Sequence, residues 1–114
     1  MIQNGAISLI QEFLEESAER VPDKIALVCE GQRLTYAEIE SMANRLANAL
    51  IAHGVGRGER VAIYLPNSVA AVVGIFAALK VGGVFVVLNP TTKADKLTYM
   101  LNNCQASALL FEGR

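Results

Sequence analysis

Hydrophobic residues recur at helical spacing in the middle of the chain. The segment begins at Thr35, which forms a capping-box pattern with Glu38, and it ends before Gly54. Its apolar positions are Ile39, Met42, Ala43, Leu46, Ala47, Leu50 and Ile51. This spacing predicts an amphipathic helix that buries one face.

An earlier helix and a hairpin are predicted before this segment. The segment Ser8–Gln11 also has capping-box spacing, and the apolar stripe after it predicts a helix to about Arg20. Residues 25–29 are apolar and β-prone, and a tight turn at Gly31–Gln32 leads into a short strand at residues 33–34. The N-terminal half therefore predicts a helix, a short β-hairpin and an amphipathic helix.

From residue 60 onwards, short apolar strands alternate with helices. The predicted order is strand 60–65, helix 69–80, strand 84–88, helix 92–103 and strand 107–111. Ser68 is the expected N-cap of the first of these helices, and Thr92 with Asp95 has capping-box spacing at the second. Strands joined by crossover helices pair in parallel through right-handed connections. The predicted fold class is α/β, with helices packed on a mainly parallel β-α-β-α-β sheet.

The least polar part of the chain is helix 69–80 and the strand after it. Lys80 and Gly82–Gly83 interrupt this stretch well short of the ~20 apolar residues that a spanning helix needs. We therefore expect a buried helix, a glycine turn and a buried strand, with a membrane hairpin as the alternative. A β-branched residue at Gly83 is expected to destabilise the fold, whereas Gly74 should tolerate alanine unless it packs closely on the sheet.

The chain is richer in apolar residues than an average soluble domain. It is 53% hydrophobic and 18% charged, against about 45–50% and 25% for typical domains. This excess, and a helix 69–80 that is apolar nearly all round, predict surface that another chain covers and hence self-association. The net charge of −1 with scattered basic residues provides no field for nucleic acid, so no nucleic-acid partner is expected.

Metal-binding and redox-active residues are few. Cys29 and Cys104 are the two cysteines and His53 is the single histidine, a set too small for a zinc site. Two buried, reduced thiols are expected. The acidic segment 1–21 lacks the basic start of a signal peptide, so we expect a cytoplasmic location.

No set of side chains has the spacing of a catalytic site. The glycines of residues 54–58 close a helix, whereas those of a phosphate loop open one. Ser8, Ser41, Ser68 and Ser107 lack the setting of a nucleophile elbow. His53 is expected to cap a helix end, the carboxylates of residues 12–19 to face solvent, and Tyr36 and Tyr64 to lie in the core. We therefore predict no catalytic, cofactor-binding or metal-binding residue in this chain, and no activity from it alone.

Three segments resemble successive blocks of one enzyme superfamily. They are residues 22–39, which include PDKIA and LTYAEI, residues 58–68, GERVAIYLPNS, and residues 79–90, LKVGGVFVVLNP. In this order and spacing they resemble the adenylate-forming acyl-CoA synthetases, which include fatty-acyl-CoA ligases, luciferases and the adenylation domains of peptide synthetases. The departures are small: Val81 stands where alanine is common, and Val87 where proline is usual.

The resemblance implies a scaffold role for these residues. Residues 1–114 would form one α/β unit, the first part of the large N-terminal domain of an AMP-forming ligase, and the remainder of that enzyme would be its partner. The parent would condense a carboxylic or fatty acid with ATP, with Mg²⁺, and pass the acyl group to coenzyme A. The family's phosphate loop and C-terminal lysine are not among these residues.

Two other functions remain open. One is a free-standing, non-catalytic α/β module that binds a protein partner through apolar surface. The other is a small nucleotide-binding domain with a flavodoxin-like sheet, whose ligand would lie at the carboxyl ends of the strands. Against the second, the turns at residues 66–68 and 89–91 contain neither a glycine-rich loop nor a metal-binding acid.

Overall fold

A computed structural model describes residues 12–111 of the chain, and its architecture is the predicted α/β fold. Its elements in chain order are α1 (12–20), β1 (Ile25–Cys29), β2 (Gln32–Thr35), α2 (Tyr36–Ala52), β3 (Arg60–Tyr64), α3 (Val69–Lys80), β4 (Val84–Val87), α4 (Ala94–Cys104) and β5 (Ala106–Phe111). The capping pattern Ser8–Gln11 lies outside the described residues. Helix α1 extends to residue 20, as the sequence predicts.

The hairpin β1–β2 has a two-residue turn. Cys29 pairs with Gln32 across the antiparallel strands, and the residues between them, Glu30 and Gly31, have φ of 50° and 83°. Two consecutive positive φ angles are the requirement of a type I′ turn, which matches the twist of a hairpin. The predicted turn at Gly31–Gln32 is wrong by one residue, because Gln32 is needed to pair with Cys29.

The second sheet is parallel and has the order β4-β3-β5. Val61 in the central strand pairs with Phe85 on one side and with Ala108 on the other. The chain therefore crosses from β3 to β4 through α3, and then back over β3 to β5 through α4. Because crossovers of this kind are right-handed, α3 and α4 lie on opposite faces of the sheet.

Helices α2 and α3 cover one face of this sheet. One buried cluster joins both helices to β3 and contains Ala47, Leu50, Val55, Val61, Ala77 and Ala78. A second joins α1, α2 and α3 and contains Leu14, Ile39, Ala43 and Val73. The amphipathic prediction for α2 holds along its buried face, but its last predicted core position, Ile51, is exposed.

Helix α3 is covered on nearly every side. Of its twelve residues only Ala70 is exposed, because α2 packs on the side that the sheet leaves open. The prediction of a buried helix at residues 69–80 is therefore confirmed. Within residues 12–111, no helix combines the length and the apolar character needed to cross a bilayer.

The exposed apolar surface lies on β4 instead. Val84, Phe85 and Val87 are 49%, 36% and 59% exposed, so the prediction of a buried strand at residues 84–88 is wrong for most of its length. The physical reason is position: β4 is an edge of the sheet, and only its inner neighbour β3 is paired on both sides. Leu88, which follows the strand, is buried.

Helices α2 and α3 end in the same backbone motif. In α3, Gly83 N–H donates to Ala78 O and Gly82 N–H donates to Leu79 O, with φ of 75° at Gly82. This is a Schellman motif, which satisfies carbonyls that a helix end would otherwise leave unpaired. Gly54 ends α2 in the same way, with φ of 90°. The predicted glycine stops of both helices are confirmed.

Helix α4 begins one residue later than its predicted capping box. Its N-cap is Lys93, without a side-chain hydrogen bond, and not Thr92. The carbonyl of Thr92 accepts a hydrogen bond of 2.6 Å from the Tyr64 hydroxyl, so this residue belongs to a loop that β3 holds in place. Asp95 Oδ1 accepts from Lys96 N–H and not from the expected N-cap.

The two glycines of the α3 region are predicted to differ in their tolerance of alanine. A Cβ at Gly83 would lie 2.9 Å from the backbone oxygen of Glu59, which cannot move without disturbing the pairing of β3 with β4. A Cβ at Gly74 would lie 2.9 Å from Leu110 Cδ1, the end of a flexible side chain. Gly74 therefore packs closely on the sheet, which is the condition under which alanine was expected to be less well tolerated there.

We expect Gly83→Ala to lower the free energy of unfolding by about 1–3 kcal/mol. Gly74→Ala should change it by less than about 1 kcal/mol, because the gain in helix propensity offsets the shift of Leu110. Urea denaturation of both variants measures the difference. A smaller loss at Gly83 than at Gly74 would contradict the close approach at the turn.

Candidate functional site

The best-placed cavity lies at the carboxyl ends of β3 and β5. The two strands are neighbours, but the connection after β3 leads away to α3 and β4, so this is a point where the strand order reverses. Ligands of open α/β sheets bind at such points. A groove of about 550 Å³ occupies it, and it is lined by Glu30, Leu46, Leu65, Pro66, Ser68, Ala70, Leu109, Leu110 and Phe111.

The lining of this groove offers little chemistry. Ser68 is the candidate nucleophile by position, but its hydroxyl donates to Pro66 O at 2.8 Å and accepts from Ala71 N–H at 3.2 Å. It is the N-cap of α3, as the sequence predicts. No lysine or arginine lines the groove, so no cationic side chain in it complements a phosphate. The arrangement fits an apolar group or segment, and it does not fit Mg-ATP.

The loop after β4 also lies at the carboxyl ends of the strands. The Tyr64 hydroxyl reaches the Thr92 carbonyl, and Asn89 Oδ1 accepts from both the backbone and the hydroxyl of Thr91. These hydrogen bonds give the loop a defined path. The Tyr64 hydroxyl thus has a backbone carbonyl as its partner at the carboxyl end of β3.

The glycine loop of residues 54–58 is structural. It follows α2 and leads into β3, and its backbone is held by Glu59, whose Oε1 accepts from Gly56 N–H at 2.6 Å. His53 is the C-cap of α2, and its Nδ1 lies 2.9 Å from Ala49 O. The predicted helix-end position of His53 is confirmed, and the loop does not have the strand-to-helix setting of a phosphate site.

The remaining candidate side chains are not brought together. Ser107 donates to Glu59 Oε2 at 3.3 Å. This contact lies at the amino ends of the strands, whereas Ser68 lies at their carboxyl ends. Tyr36 makes an edge-to-face contact with Phe13. Cys29 and Cys104 are both free but only partly buried, so the expectation of two buried thiols is wrong in its burial. Ser41 is exposed on α2.

Metal-binding clusters can be assessed for the described part of the chain. Between residues 12 and 111, no group of three or more histidine, cysteine, aspartate or glutamate side chains is arranged to hold a metal ion.

The sequence reasoning missed a buried ion-pair cluster on α3. The Lys80 side chain is only 7% exposed, and its Nζ lies 3.2 Å from Glu15 Oε2 on α1 and 2.9 Å from Glu40 Oε1 on α2. The contact with Glu15 is a hydrogen bond, whereas that with Glu40 is an ion pair without hydrogen-bond geometry. The carboxylates of residues 12–19 were predicted to face solvent, and for Glu15 this prediction is wrong, because its carboxylate binds Lys80.

A sequence signal for this cluster existed. Lys80 is the one charged residue of a helix that is otherwise apolar and covered, and a buried lysine requires a counter-charge. Three helices are joined at this point, which makes the cluster part of the scaffold.

Comparison with known proteins identifies the family. The family model described as "AMP-binding enzyme" matches residues 14–113. The chain belongs to the AMP-binding enzyme family. The predicted resemblance to adenylate-forming enzymes is thereby confirmed over nearly the whole length of the chain.

Members of the AMP-binding enzyme family with different activities are similar to this chain. It is 38% identical over 105 residues to bacitracin synthase 1 of Bacillus licheniformis. It is 36% identical over 103 residues to a medium/long-chain-fatty-acid–CoA/3-oxocholest-4-en-26-oate–CoA ligase of Mycobacterium marinum. The structure of a benzoate CoA ligase from Burkholderia xenovorans LB400 superposes with a TM-score of 0.80 at 32% identity.

These family members are much longer than the chain. The alignments cover 92%, 90% and 87% of this chain, but 2% of bacitracin synthase 1, 19% of the Mycobacterium ligase and 20% of the benzoate CoA ligase. The chain is therefore comparable to a small part of each relative.

Replacing Lys80 with methionine is predicted to destabilise the fold. The variant keeps the side-chain length but leaves the Glu40 carboxylate, which is 21% exposed, without its cation. Removing one partner of a buried ion pair costs about 3–5 kcal/mol, and the partial exposure of Glu15 reduces our expectation to about 2–3 kcal/mol.

The matched control is Lys96→Met, which alters an exposed lysine on α4 and should change the free energy of unfolding by less than about 0.5 kcal/mol. The double variant Lys80→Met/Glu40→Gln should recover part of the loss. Urea denaturation measures all three, and equal stability of Lys80→Met and Lys96→Met would contradict a structural role for the cluster.

Proposed function

We propose that this chain is the first part of the large N-terminal domain of an AMP-forming ligase that activates a carboxylic acid. The observation that carries the proposal is the family match over residues 14–113. The parallel sheet supports it, since the structure of a benzoate CoA ligase superposes on this fold with a TM-score of 0.80 at 32% identity. In this proposal the described residues form a structural scaffold that positions the reacting groups of the parent enzyme.

The reaction would be carried by residues beyond this scaffold. The groove at the ends of β3 and β5 has no cationic side chain for phosphate, and the Ser68 hydroxyl that lines it is engaged in capping α3. In this proposal, no residue of this chain takes part in a step of the reaction. Its contribution would be to hold the carboxyl edge of the sheet in a fixed position, through Tyr64 and the Ser68 cap.

The proposed substrate is an organic or fatty acid, with coenzyme A as the acceptor thiol. The similarity to the Mycobacterium ligase and to the benzoate CoA ligase supports this class. The second candidate is an amino-acid adenylation unit of a peptide synthetase, which the similarity to bacitracin synthase 1 favours. A cytoplasmic location would suit either, since ATP and coenzyme A are used there.

The isolated chain is expected not to bind ATP. Isothermal titration calorimetry of the 114-residue chain with Mg-ATP should give no saturable heat, because the groove does not complement a triphosphate. A dissociation constant of about 1 µM would correspond to roughly −8 kcal/mol of binding free energy. Such a value would overturn the scaffold role and favour the nucleotide-binding domain.

The activity itself is tested on the longest polypeptide that contains this chain. ATP–pyrophosphate exchange with separate panels of organic acids and amino acids reports carboxylate activation, and thioester formation with coenzyme A reports the acceptor. Exchange with organic acids followed by a coenzyme A thioester is the expected result. Exchange with amino acids alone favours the second candidate, and no exchange with either panel favours a non-catalytic α/β module that binds a protein partner.

A further inference from the structure

We infer that the free edge of β4 is a self-complementary surface that pairs antiparallel with β4 of a second copy of this chain. The edge is defined here as the backbone and side chains of residues 84–87 on the side away from β3. The inference does not depend on the proposed function, because it uses only the hydrogen-bonding pattern and exposure of this strand.

The direction of the backbone groups identifies what the edge presents. Val84 N–H donates to Glu59 O at 2.8 Å, and Leu88 N–H donates to Ile63 O at 2.9 Å. In a parallel pair, alternate residues of a strand face the neighbouring strand. The N–H and C=O groups of Phe85 and Val87 therefore point away from the sheet, and they form two evenly spaced donor–acceptor pairs.

The side chains on this edge are apolar, and none of them is charged or otherwise blocks pairing with another strand. Natural edge strands are usually blocked by charged residues, proline, a bulge or a very short length. The segment VFVV of β4 is short, but it contains no charge, proline or bulge, and its pairing with β3 runs without a register shift. The other edge strand of the sheet, β5, has a register shift against β3 and a polar residue, Ser107, near its start. The geometry therefore favours β4 over β5.

One register satisfies both copies. Phe85 and Val87 lie on the same face of the sheet, because they pair with Val61 and Ile63 of β3. A two-fold axis perpendicular to the sheet at Val86 keeps that face in common, and it sets Phe85 opposite Val87 of the second copy. Phe85 of one copy and Val87 of the other then exchange both of their backbone hydrogen bonds. The two three-stranded sheets become one six-stranded sheet.

The occupant is a second copy because of symmetry and charge. An uncharged strand whose exposed groups repeat every two residues is complementary to its own antiparallel image, and no charge opposes the contact. The apolar area that three partly exposed side chains supply is well below the ~1,200 Å² of a stable interface. The affinity must therefore come mainly from backbone hydrogen bonds, as in strand addition, and the dimer is expected to be weak.

Sedimentation equilibrium of the 114-residue chain from about 10 µM to 1 mM tests the inference, over the range typical of weak association. We expect a reversible monomer–dimer equilibrium. Val87→Lys should raise the dissociation constant at least about tenfold, because it places two like charges on the joined sheet. The matched control is Val28→Lys, which alters a residue of β1 with nearly equal exposure, 60% against 59%, and should leave the dimer unchanged.

Hydrogen exchange by NMR provides a readout that does not require a variant to fold. The amides of Phe85 and Val87 should gain protection as the concentration rises, whereas those of β1 should not. A monomer at every concentration overturns the inference, and so does a dimer that Val87→Lys leaves intact. A dimer that Phe111→Lys abolishes and Val87→Lys does not would assign the contact to β5. Concentration-independent protection of Phe85 and Val87 in a longer, monomeric polypeptide would overturn the inference for that polypeptide, because its own additional strand would cover the edge.

Discussion

The double burial of β3 is the constraint on which the rest of the structure depends. Val61, Ala62 and Ile63 are fully inaccessible to solvent, which requires a strand on each side and a layer on each face. Parallel neighbours need long crossover connections, usually helices, and α3 and α4 provide them on the two sides of β3. The clusters that join α2 and α3 to this strand are the packing consequence of that requirement.

Within residues 12–111, charged side chains enter the core at one point. Lys80 has its ammonium group between two carboxylates from two other helices, which fixes the relative position of α1, α2 and α3 more narrowly than apolar contact does. Buried polar groups can serve such a specifying role even where they add little stability. The groove at the carboxyl ends of β3 and β5 is lined mainly by apolar residues, without such an ion pair. In the proposed ligase, the reacting groups would come from other parts of the enzyme.

The sequence predicted the elements of this fold well because each is punctuated locally. The capping box of Thr35 and Glu38 is formed in both directions, and the Schellman ends at Gly54 and Gly82 follow from residue type alone. Exposure could not be predicted in the same way. Strand β4 has the composition of a buried strand, but burial depends on which strands lie beside it, and strand order is a tertiary property. The ion pairs of Lys80 join residues that are distant in sequence, so spacing could not reveal its partners, although its isolation in an apolar helix indicated that they must exist.

The strand order also has a consequence for how the chain folds. Arg60 pairs with Val84 on one side and with Ala106 on the other, so the second contact closes a loop nearly twice as long. The entropy of closing a loop rises with its length, and contacts between distant residues slow folding. The unit β3–α3–β4, whose turn is already shaped by its glycines, is therefore suited to form early. Strand β5 then docks onto a surface that exists before it arrives, which places the groove beside it among the last features to be completed.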